Sequence, residues 1–357
     1  MTEADDRLPS WRTGPTCDAL TGFLDAAGEL PVDARVAYID NDGTLWCEKP
    51  QYVQLGFFVD ALRARAADDP SIAERAELRA VLDHDSAAMG EIGLARIAAA
   101  LAGQFDGKTP DAFRDAVRNY MSRATHKALG RPVKTIVYQP MLELIAELRR
   151  VDFTVGVVTG GGTEFVRAIS EELYGVPPEL VVGTLIGYEL RRDDDGRPQL
   201  RRTASLTDDA NEGTAKVEHI QAQLGRQPIV AVGNSSGDRE MLEWACAGDG
   251  PRLAMLIDHD DGDREYDYVS TAATFDDPEP ITDVADRLRW TSVSIARDWA
   301  TVFPPVDWSP TGGSALRLFD DVAGSPPSRW APSSRRSAPP PVSPSTVGGT
   351  GAFTLRG

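Results

Sequence analysis

Features that would point to several protein classes are scarce in this chain. It has three cysteines, Cys17, Cys47 and Cys246, and no CxxC motif or Cys/His cluster, so neither a disulfide framework nor a zinc site is expected. No apolar run is long enough to span a bilayer, and the acidic N-terminus lacks the apolar stretch of a secretion signal. We therefore expect a cytoplasmic protein without a membrane anchor.

Basic residues are also fewer than acidic ones. The chain has 37 Lys and Arg against 55 Asp and Glu, for a formal net charge of −18. This balance argues against nucleic acid or an anionic membrane as a general partner. An anionic substrate would need a bound cation or local basic side chains. We expect a small-molecule substrate, and the oligomeric state, monomer or dimer, stays open.

The 357 residues divide into segments of different composition. An apolar run at 36–39 predicts a buried strand, and a block at 51–130, rich in Ala, Arg and Glu, predicts four helices. From residue 133 strands and helices alternate, as in a parallel, doubly wound sheet. Ten of the 25 prolines lie within residues 304–344, so a disordered tail is expected there.

Local patterns predict the individual elements. Residues 1–14 are expected to be a loose arm, and 180–190 with 198–206 to be a hairpin. Gly160, Gly161 and Gly162 are expected to open a helix. An acidic run at 259–266 is expected to be a solvated loop or to reach the rim of a site. The predicted helices lie at 15–28, 52–66, 71–83, 86–103, 109–127, 140–150, 163–173, 214–224 and 239–245.

The most informative stretch, Asp40-Asn41-Asp42-Gly43-Thr44, directly follows the strand at 36–39. Residues two apart in a strand point to the same side, so Asp40 and Asp42 are presented together. Ligands bind at the carboxyl ends of the strands in open parallel sheets. Gly43 lets the chain turn sharply just after the two acids. The stretch therefore predicts a site with two carboxylates.

Two further patterns follow along the chain. Thr159 comes after an apolar strand and precedes Gly160 and Gly161, so a hydroxyl and backbone N–H groups could cradle a phosphate. The alternative is an ordinary strand-to-helix turn. Lys216 stands at a helix start, where an ammonium can neutralise an aspartate and phosphoryl oxygens. An isolated helix lysine is otherwise simply solvated.

A fourth pattern, Gly233-Asn234-Ser235-Ser236-Gly237-Asp238, follows another apolar strand. In this order, the four patterns resemble the motifs of the haloacid dehalogenase superfamily, the aspartate-nucleophile phosphohydrolases. The family has an acid where this chain has Asn234. An amide oxygen still ligates a hard cation, but the site has one negative charge fewer.

The resemblance covers roughly residues 33–260. It implies an α/β fold, in which a doubly wound, parallel-sheet, Rossmann-like core carries an inserted helical cap. The implied division gives the core residues 1–50 and 131–303, the cap residues 51–130 and the tail residues 304–357.

The resemblance also implies a Mg²⁺-dependent phosphomonoester hydrolase. Asp40 would be the nucleophile that forms an aspartyl-phosphate, and Asp42 the general acid and base. The implied phosphate-binding residues are Thr159, Gly160, Gly161 and Lys216. The implied Mg²⁺ ligands are Asp40, the backbone carbonyl of Asp42, Asn234 and Asp238.

The substrate is less defined. The glycines after Thr159 resemble those of phosphoserine phosphatases, in which a Glu after the first motif reads the substrate amino group. Glu48 lies one position earlier than that Glu. Arg167, Lys49 and Arg131 are candidate cations for a substrate carboxylate, or else surface charges. Four aromatic residues are expected in the core or at the pocket wall: Trp46, Tyr52, Phe57 and Phe58.

Two other functions remain open at this point. Asn234 and the unusual tail are compatible with a binding or regulatory protein that has lost catalytic power. A phosphotransferase of the same family is the nearer alternative, because it would use the same residues and pass the phosphoryl group to another alcohol.

Overall fold

The computed structural model describes residues 7–309 except 273, 276 and 278. The strands are, in chain order, β1 (Val36–Asp40), β2 (Thr125–His126), β3 (Arg131–Pro132), β4 (Thr154–Gly162), β5 (Val181–Thr184), β6 (Ile186–Arg192), β7 (Pro198–Leu206), β8 (Val230–Gly233), β9 (Leu253–Asp260), β10 (Asp267–Tyr268) and β11 (Thr291–Ser294). The α-helices are α1 (Pro15–Ala27), α2 (Val53–Asp68), α3 (Ala76–Leu82), α4 (Ser86–Ile92), α5 (Leu94–Ala102), α6 (Pro110–Arg123), α7 (Gln139–Arg150), α8 (Thr163–Arg167), α9 (Ser170–Tyr174), α10 (Thr214–Leu224), α11 (Arg239–Cys246), α12 (Ile281–Leu288) and α13 (Ile295–Asp298).

The core of the described chain is a sheet with the strand order β10-β9-β8-β1-β4-β5, in which β11 also pairs with β9. Strand β1 lies between β4 and β8 and runs parallel to both. Strand β10 pairs with β9 in the antiparallel direction. The sheet is thus mainly parallel, and the predicted α/β fold class is confirmed.

Both faces of the sheet are covered. Ala37 and Ile39 belong to one hydrophobic cluster, whereas Val36 and Tyr38 belong to another. Because alternate residues of a strand point to opposite faces, the two clusters lie on opposite sides of β1. A strand buried on both faces reads as a continuous apolar run, which is why its position could be predicted from the sequence.

Helices α2 to α6 form the insertion between β1 and β4. Phe57, Phe105 and Phe113 pack together in it, with ring centroids 5.0 to 5.6 Å apart. The single helix predicted at 86–103 is wrong, because Gly93 separates α4 from α5 with a positive φ of 91°. The division into core and cap domains stays a prediction.

The predicted hairpin is partly corrected. Residues 181–184 form β5 of the central sheet, and the hairpin consists of β6 and β7. It docks on the helical insertion, since Arg202 N–H donates to Lys108 O (2.9 Å) and Gly107 N–H donates to Arg202 O (2.8 Å).

Other boundaries also differ from the prediction. The helix expected at 163–173 is two short helices, α8 and α9. The loose arm expected at 1–14 is wrong for residues 7–14, because Leu8 and Trp11 are buried and Trp11 Nε1 donates to Pro140 O (3.1 Å). The predicted tail lies outside the described residues from position 310 on.

No helix within the described ranges has both the length and the apolar character that crossing a bilayer requires.

Candidate active site

The first, third and fourth sequence patterns meet at an ammonium held by two carboxylates. Lys216 Nζ lies 2.6 Å from Asp40 Oδ1 and 2.5 Å from Asp238 Oδ1. Asp40 ends β1, and Asp238 lies in the turn that follows β8, the neighbouring parallel strand. Helix α10 begins at Thr214 and thereby brings Lys216 to the same edge of the sheet. All three side chains are buried, so this is a desolvated cluster.

Burial shapes the charges of this cluster. Burial and the neighbouring charge of Asp238 raise the pKa of Asp40 well above its usual range, while Lys216 opposes the rise. Burial alone would lower the pKa of Lys216, but Asp238 and Asp40 raise it overall. Lys216 is therefore a stable ammonium at neutral pH.

Asp42 is held by donors on both of its oxygens. Trp46 Nε1 donates to Oδ1 (2.9 Å), and Asn41 Nδ2 donates to Oδ2 (3.2 Å). Thr159 Oγ1 lies 3.4 Å from the same Oδ2. Burial raises the pKa of Asp42, and the hydrogen bonds from Trp46 and Asn41 oppose this rise. The rise moves the pKa of Asp42 in the direction that general acid and base catalysis requires.

Thr159 lies next to Asp42, and the glycines after it extend the strand up to the start of a helix. Strand β4 continues through Gly162, and α8 begins at Thr163. Gly161 N–H donates to Thr159 Oγ1 (2.9 Å), and Gly162 N–H donates to Gln54 Oε1 (2.9 Å). A Cβ on Gly161 would lie 2.6 Å from Gln54 Oε1, so a side chain there would require Gln54 to shift away from Gly162 N–H.

The fourth pattern forms the far wall of the site. Asp238 Oδ2 accepts from the N–H groups of Asn234 (3.1 Å) and Ser235 (3.0 Å), and also from Ser235 Oγ (3.1 Å). Asp238 therefore fixes the turn after β8 as well as Lys216. Asn234 Oδ1 accepts from Thr44 Oγ1 (3.3 Å), which places its amide beside the turn that follows Asp42.

The donor set fits Mg²⁺ by its chemistry. Within the described ranges, no three His, Cys, Asp or Glu side chains form a ready metal cage. Mg²⁺ does not require one, because it keeps several waters and binds through one or two carboxylates. Lys216 contacts two of the carboxyl groups of the site, Asp40 and Asp238. Among the described residues, no ammonium contacts the other two, Asp42 and Glu48. Such an excess of acidic groups favours a divalent cation.

The two candidate substrate residues have hydrogen-bond partners within the described chain. Glu48 is 3% exposed and lies against Asn234, with Nδ2 of the amide 3.3 Å from Glu48 Oε1. Arg167 donates to the carbonyls of Pro178 (2.9 Å) and Val181 (3.3 Å), so it holds the chain that leads into β5.

The other candidate cations also have structural partners. Lys49 Nζ lies 4.3 Å from the centre of the Tyr268 ring. Arg131 donates to Thr135 Oγ1 (3.0 Å) and stacks on Phe303. These contacts give both residues a role in packing.

Of the four aromatic residues, Trp46, Phe57 and Phe58 are buried in the core. Tyr52 is 39% exposed and stands at the start of α2. Burial raises the pKa of Tyr52, and the charges of Glu48 and Asp42 raise it further. Tyr52 therefore lies within electrostatic range of these acids.

Other residues of the site had no role in the sequence patterns. Asn211 Nδ2 donates to Thr159 O (2.9 Å) and so joins the chain before Lys216 to the end of β4. His259 Nε2 lies 2.9 Å from Gly43 O, and Nδ1 lies 3.1 Å from Glu265 Oε2. The expectation of a solvated loop is therefore wrong for His259, which is 2% exposed. Its position at the carboxyl end of an apolar strand, β9, is the signal that could have placed it here.

Comparison with known protein families agrees with this geometry. The model of the haloacid dehalogenase-like hydrolases matches residues 37–243, which is more than half of the chain. The chain belongs to this family. The matched segment contains each of the four patterns, from Asp40 to Asp238, and the whole helical insertion.

Several solved structures resemble this hydrolase. A conserved protein of unknown function from Anaerococcus prevotii DSM 20548 has 14% identity and a TM-score of 0.51, over 78% of this chain and 91% of that chain. A protein of unknown function from Bordetella pertussis Tohama I has 15% identity and a TM-score of 0.47, over 72% and 97%. A phosphoserine phosphohydrolase-like protein from Francisella tularensis subsp. tularensis SCHU S4 has 14% identity and a TM-score of 0.34, over 71% and 99%. No curated protein sequence matches the chain.

Proposed function

We propose that this family member is a Mg²⁺-dependent phosphomonoesterase that works through an aspartyl-phosphate on Asp40. The observation that carries the proposal is the meeting of Asp40, Asp42, Thr159 and Lys216 at one edge of the sheet. A nucleophile, an acid–base group, a hydroxyl donor and a fixed ammonium are the groups that phosphoryl transfer from an ester requires.

In the first half-reaction, a carboxylate oxygen of Asp40 attacks phosphorus and the bond from phosphorus to the alcohol oxygen breaks. Asp42 gives its proton to the leaving alkoxide. Lys216, 2.6 Å from Asp40 Oδ1, offsets the charge of the nucleophile and of the phosphoryl oxygens. Thr159 is placed to donate to one of those oxygens.

In the second half-reaction, Asp42 takes a proton from water, and that water attacks phosphorus. The bond between Asp40 and phosphorus breaks, so Asp40 returns as a carboxylate and inorganic phosphate leaves. Asp42 ends protonated and is ready for the next ester. Acid–base help of this kind is worth about 10²–10⁴ in rate.

The residues that would hold Mg²⁺ are Asp40, the backbone carbonyl of Asp42, Asn234 and Asp238. Both carboxylate oxygens of Asp238 already accept hydrogen bonds. Asp238 therefore orients the site in addition to contributing negative charge. Bound Mg²⁺ supplies charge neutralisation and orients the phosphate.

Asp42 favours phosphate esters over other substrates of the family. The resemblance implies that halide-releasing members lack this second acid, because a halide leaves without a proton. The phosphonate-cleaving members instead use a lysine from the cap. We propose a small phosphorylated metabolite as substrate, with phosphoserine-like compounds first in a screen, and a cytoplasmic location without nucleic acid or membrane as partner.

The test is steady-state hydrolysis of p-nitrophenyl phosphate with Mg²⁺ and with chelator. We expect activity that needs Mg²⁺, is lost in Asp40→Asn and is weakened in Thr159→Val. Bis(p-nitrophenyl) phosphate serves as a diester control and should not be cleaved. Full turnover in Asp40→Asn would reject the proposal. A transfer product that accumulates when alcohols are added would instead identify a phosphotransferase.

A further inference from the structure

Glu48 is a buried carboxylate that the two half-reactions do not use. It is 3% exposed, and its Oε1 accepts from Ser270 Oγ (2.9 Å) and from Asn234 Nδ2 (3.3 Å). A buried carboxylate is unfavourable unless it is hydrogen-bonded and compensated by positive charge. Glu48 has these hydrogen bonds, so the positive charge that compensates its carboxylate is what needs an explanation.

Glu48 and Asn234 both pack against the turn that follows the catalytic acids. Gly43 has a φ of 76°, and a Cβ built there would lie 1.9 Å from Asn234 Nδ2 and 3.0 Å from Glu48 Cδ. The two side chains therefore support the backbone that carries Asp40 and Asp42. A shift of either one is transmitted directly to that turn.

Contacts at both ends of the Asn234 side-chain amide fix its orientation. Nδ2 points to Glu48, whereas Oδ1 accepts from Thr44 and keeps a further lone pair for a hard cation. An aspartate at position 234 would place a second carboxylate about 3.3 Å from Glu48 Oε1, and two buried like charges at that distance repel strongly. The amide at 234 and the acid at 48 are therefore complementary.

We propose that Glu48 is a positioning residue of the metal site. Glu48 holds the amide of Asn234 in place, and its carboxylate supplies the negative charge that an asparagine at position 234 lacks. This inference rests on the proposed function, because it concerns the same Mg²⁺. Glu48 orients the amide so that Oδ1 faces the cation, and its charge compensates that cation from behind the amide.

A neighbouring histidine does not provide the missing compensation. His259 lies 3.4 Å from Asn234 Nδ2, but its Nδ1 faces Glu265, and Glu265 also accepts from Tyr138 Oη (2.8 Å). Any charge on His259 is thus matched by Glu265. The alternative role for Glu48 is to bind a substrate amino group. This role conflicts with the two hydrogen bonds that Glu48 Oε1 already accepts, from Ser270 and Asn234.

The experiment measures Mg²⁺ affinity by isothermal titration calorimetry, without substrate. The variants are Glu48→Gln, Asn234→Asp and the double variant, which moves the charge back to position 234. We expect Glu48→Gln to weaken Mg²⁺ binding by about 10–100-fold, the range for residues that orient metal ligands. The double variant should recover most of this loss, which a purely structural role would not predict.

Glu143→Gln is the matched control. Glu143 is also partly buried and accepts two hydrogen bonds, from Ser10 N–H (2.9 Å) and Gln139 Nε2 (3.0 Å), but it lies on α7. Its Mg²⁺ affinity should equal that of the wild type. Thermal unfolding of each variant checks that the fold persists, and the side-chain amide in Glu48→Gln keeps an oxygen that can accept from Ser270.

If the wild type binds Mg²⁺ and Glu48→Gln binds it with the same dissociation constant, the inference is overturned and the proposed function still stands. Unchanged Mg²⁺ affinity together with a raised KM for phosphoserine, but not for an amine-free phosphate ester, would assign Glu48 to the substrate and also overturn it. Absence of Mg²⁺ binding in the wild type would reject the magnesium site itself, and the inference with it.

Discussion

Lys216 Nζ lies 2.6 Å from Asp40 Oδ1, although the two residues are 176 positions apart in the chain. The same ammonium lies 2.5 Å from Asp238 Oδ1. One cation therefore joins the end of β1, the turn that follows β8 and the start of helix α10. The contact is both part of the proposed chemistry and a condition for the folded site.

Lys216→Met should destabilise the protein, because it leaves Asp40 and Asp238 buried without their partner. Removing one member of a buried ion pair typically costs about 3–5 kcal/mol. Urea unfolding at neutral pH measures the effect, and Lys127→Met at an exposed position is the control. Stability equal to that of the wild type would show that the two acids do not depend on the ammonium.

Gly43→Ala should be far more damaging than Gly196→Ala. Both glycines have a positive φ, 76° and 78°, so both substitutions carry the backbone penalty of about 1–2 kcal/mol. A Cβ at Gly196 meets no atom within 4 Å, whereas one at Gly43 lies 1.9 Å from Asn234 Nδ2. Thermal unfolding and Mg²⁺ titration of both variants test the difference, and equal effects would contradict the packing described here.

Glu265→Gln should reduce stability at neutral pH but not in acid. Burial alone would raise the pKa of Glu265, but the hydrogen bond and charge of His259 lower it overall. A depressed folded-state pKa contributes stability above the unfolded value, about 4.3, and this contribution is lost as pH falls through the folded value. Urea unfolding at a series of pH values from about 7 to about 3 should therefore show a gap from the wild type that narrows once the pH falls below about 4.3.

Glu143→Gln should show the opposite pH dependence. Burial raises the pKa of Glu143, and the hydrogen bonds from Ser10 and Gln139 oppose this only in part. A raised folded-state pKa favours folding at low pH, and this contribution is lost as pH rises through that value. The free energy of unfolding of the wild type should therefore rise relative to that of this variant as the solution is acidified. The same slope in both variants would reject the assigned directions.

The sequence predicted best where a short motif coincides with a strand end or a helix start. Helix α10 has the predicted bounds, and β1 matches its apolar run. Since parallel strands end at the same edge, Asp40, Thr159 and Asp238 could be placed near one another before any contact was known.

The predictions failed where long-range pairing decides the structure. Gly160 to Gly162 were expected to form only the turn that opens a helix, but Gly162 pairs with Thr184 of β5, so the strand continues until that helix begins. Glycine has little preference of its own, so the neighbouring strand determines its conformation. Contacts such as Glu48 with Asn234, 186 positions apart, leave no local pattern in the sequence.

The most direct test of the central claim, that Asp40 carries the phosphoryl group, is a rapid-mixing assay of Asp42→Asn with p-nitrophenyl phosphate and Mg²⁺. p-Nitrophenolate leaves without a proton, so the first half-reaction should stay fast while the second loses its base. We predict a burst of p-nitrophenolate equal to the enzyme concentration, followed by slow turnover, and no burst when Asp40→Asn is added. A burst that persists without the Asp40 carboxylate would contradict the account.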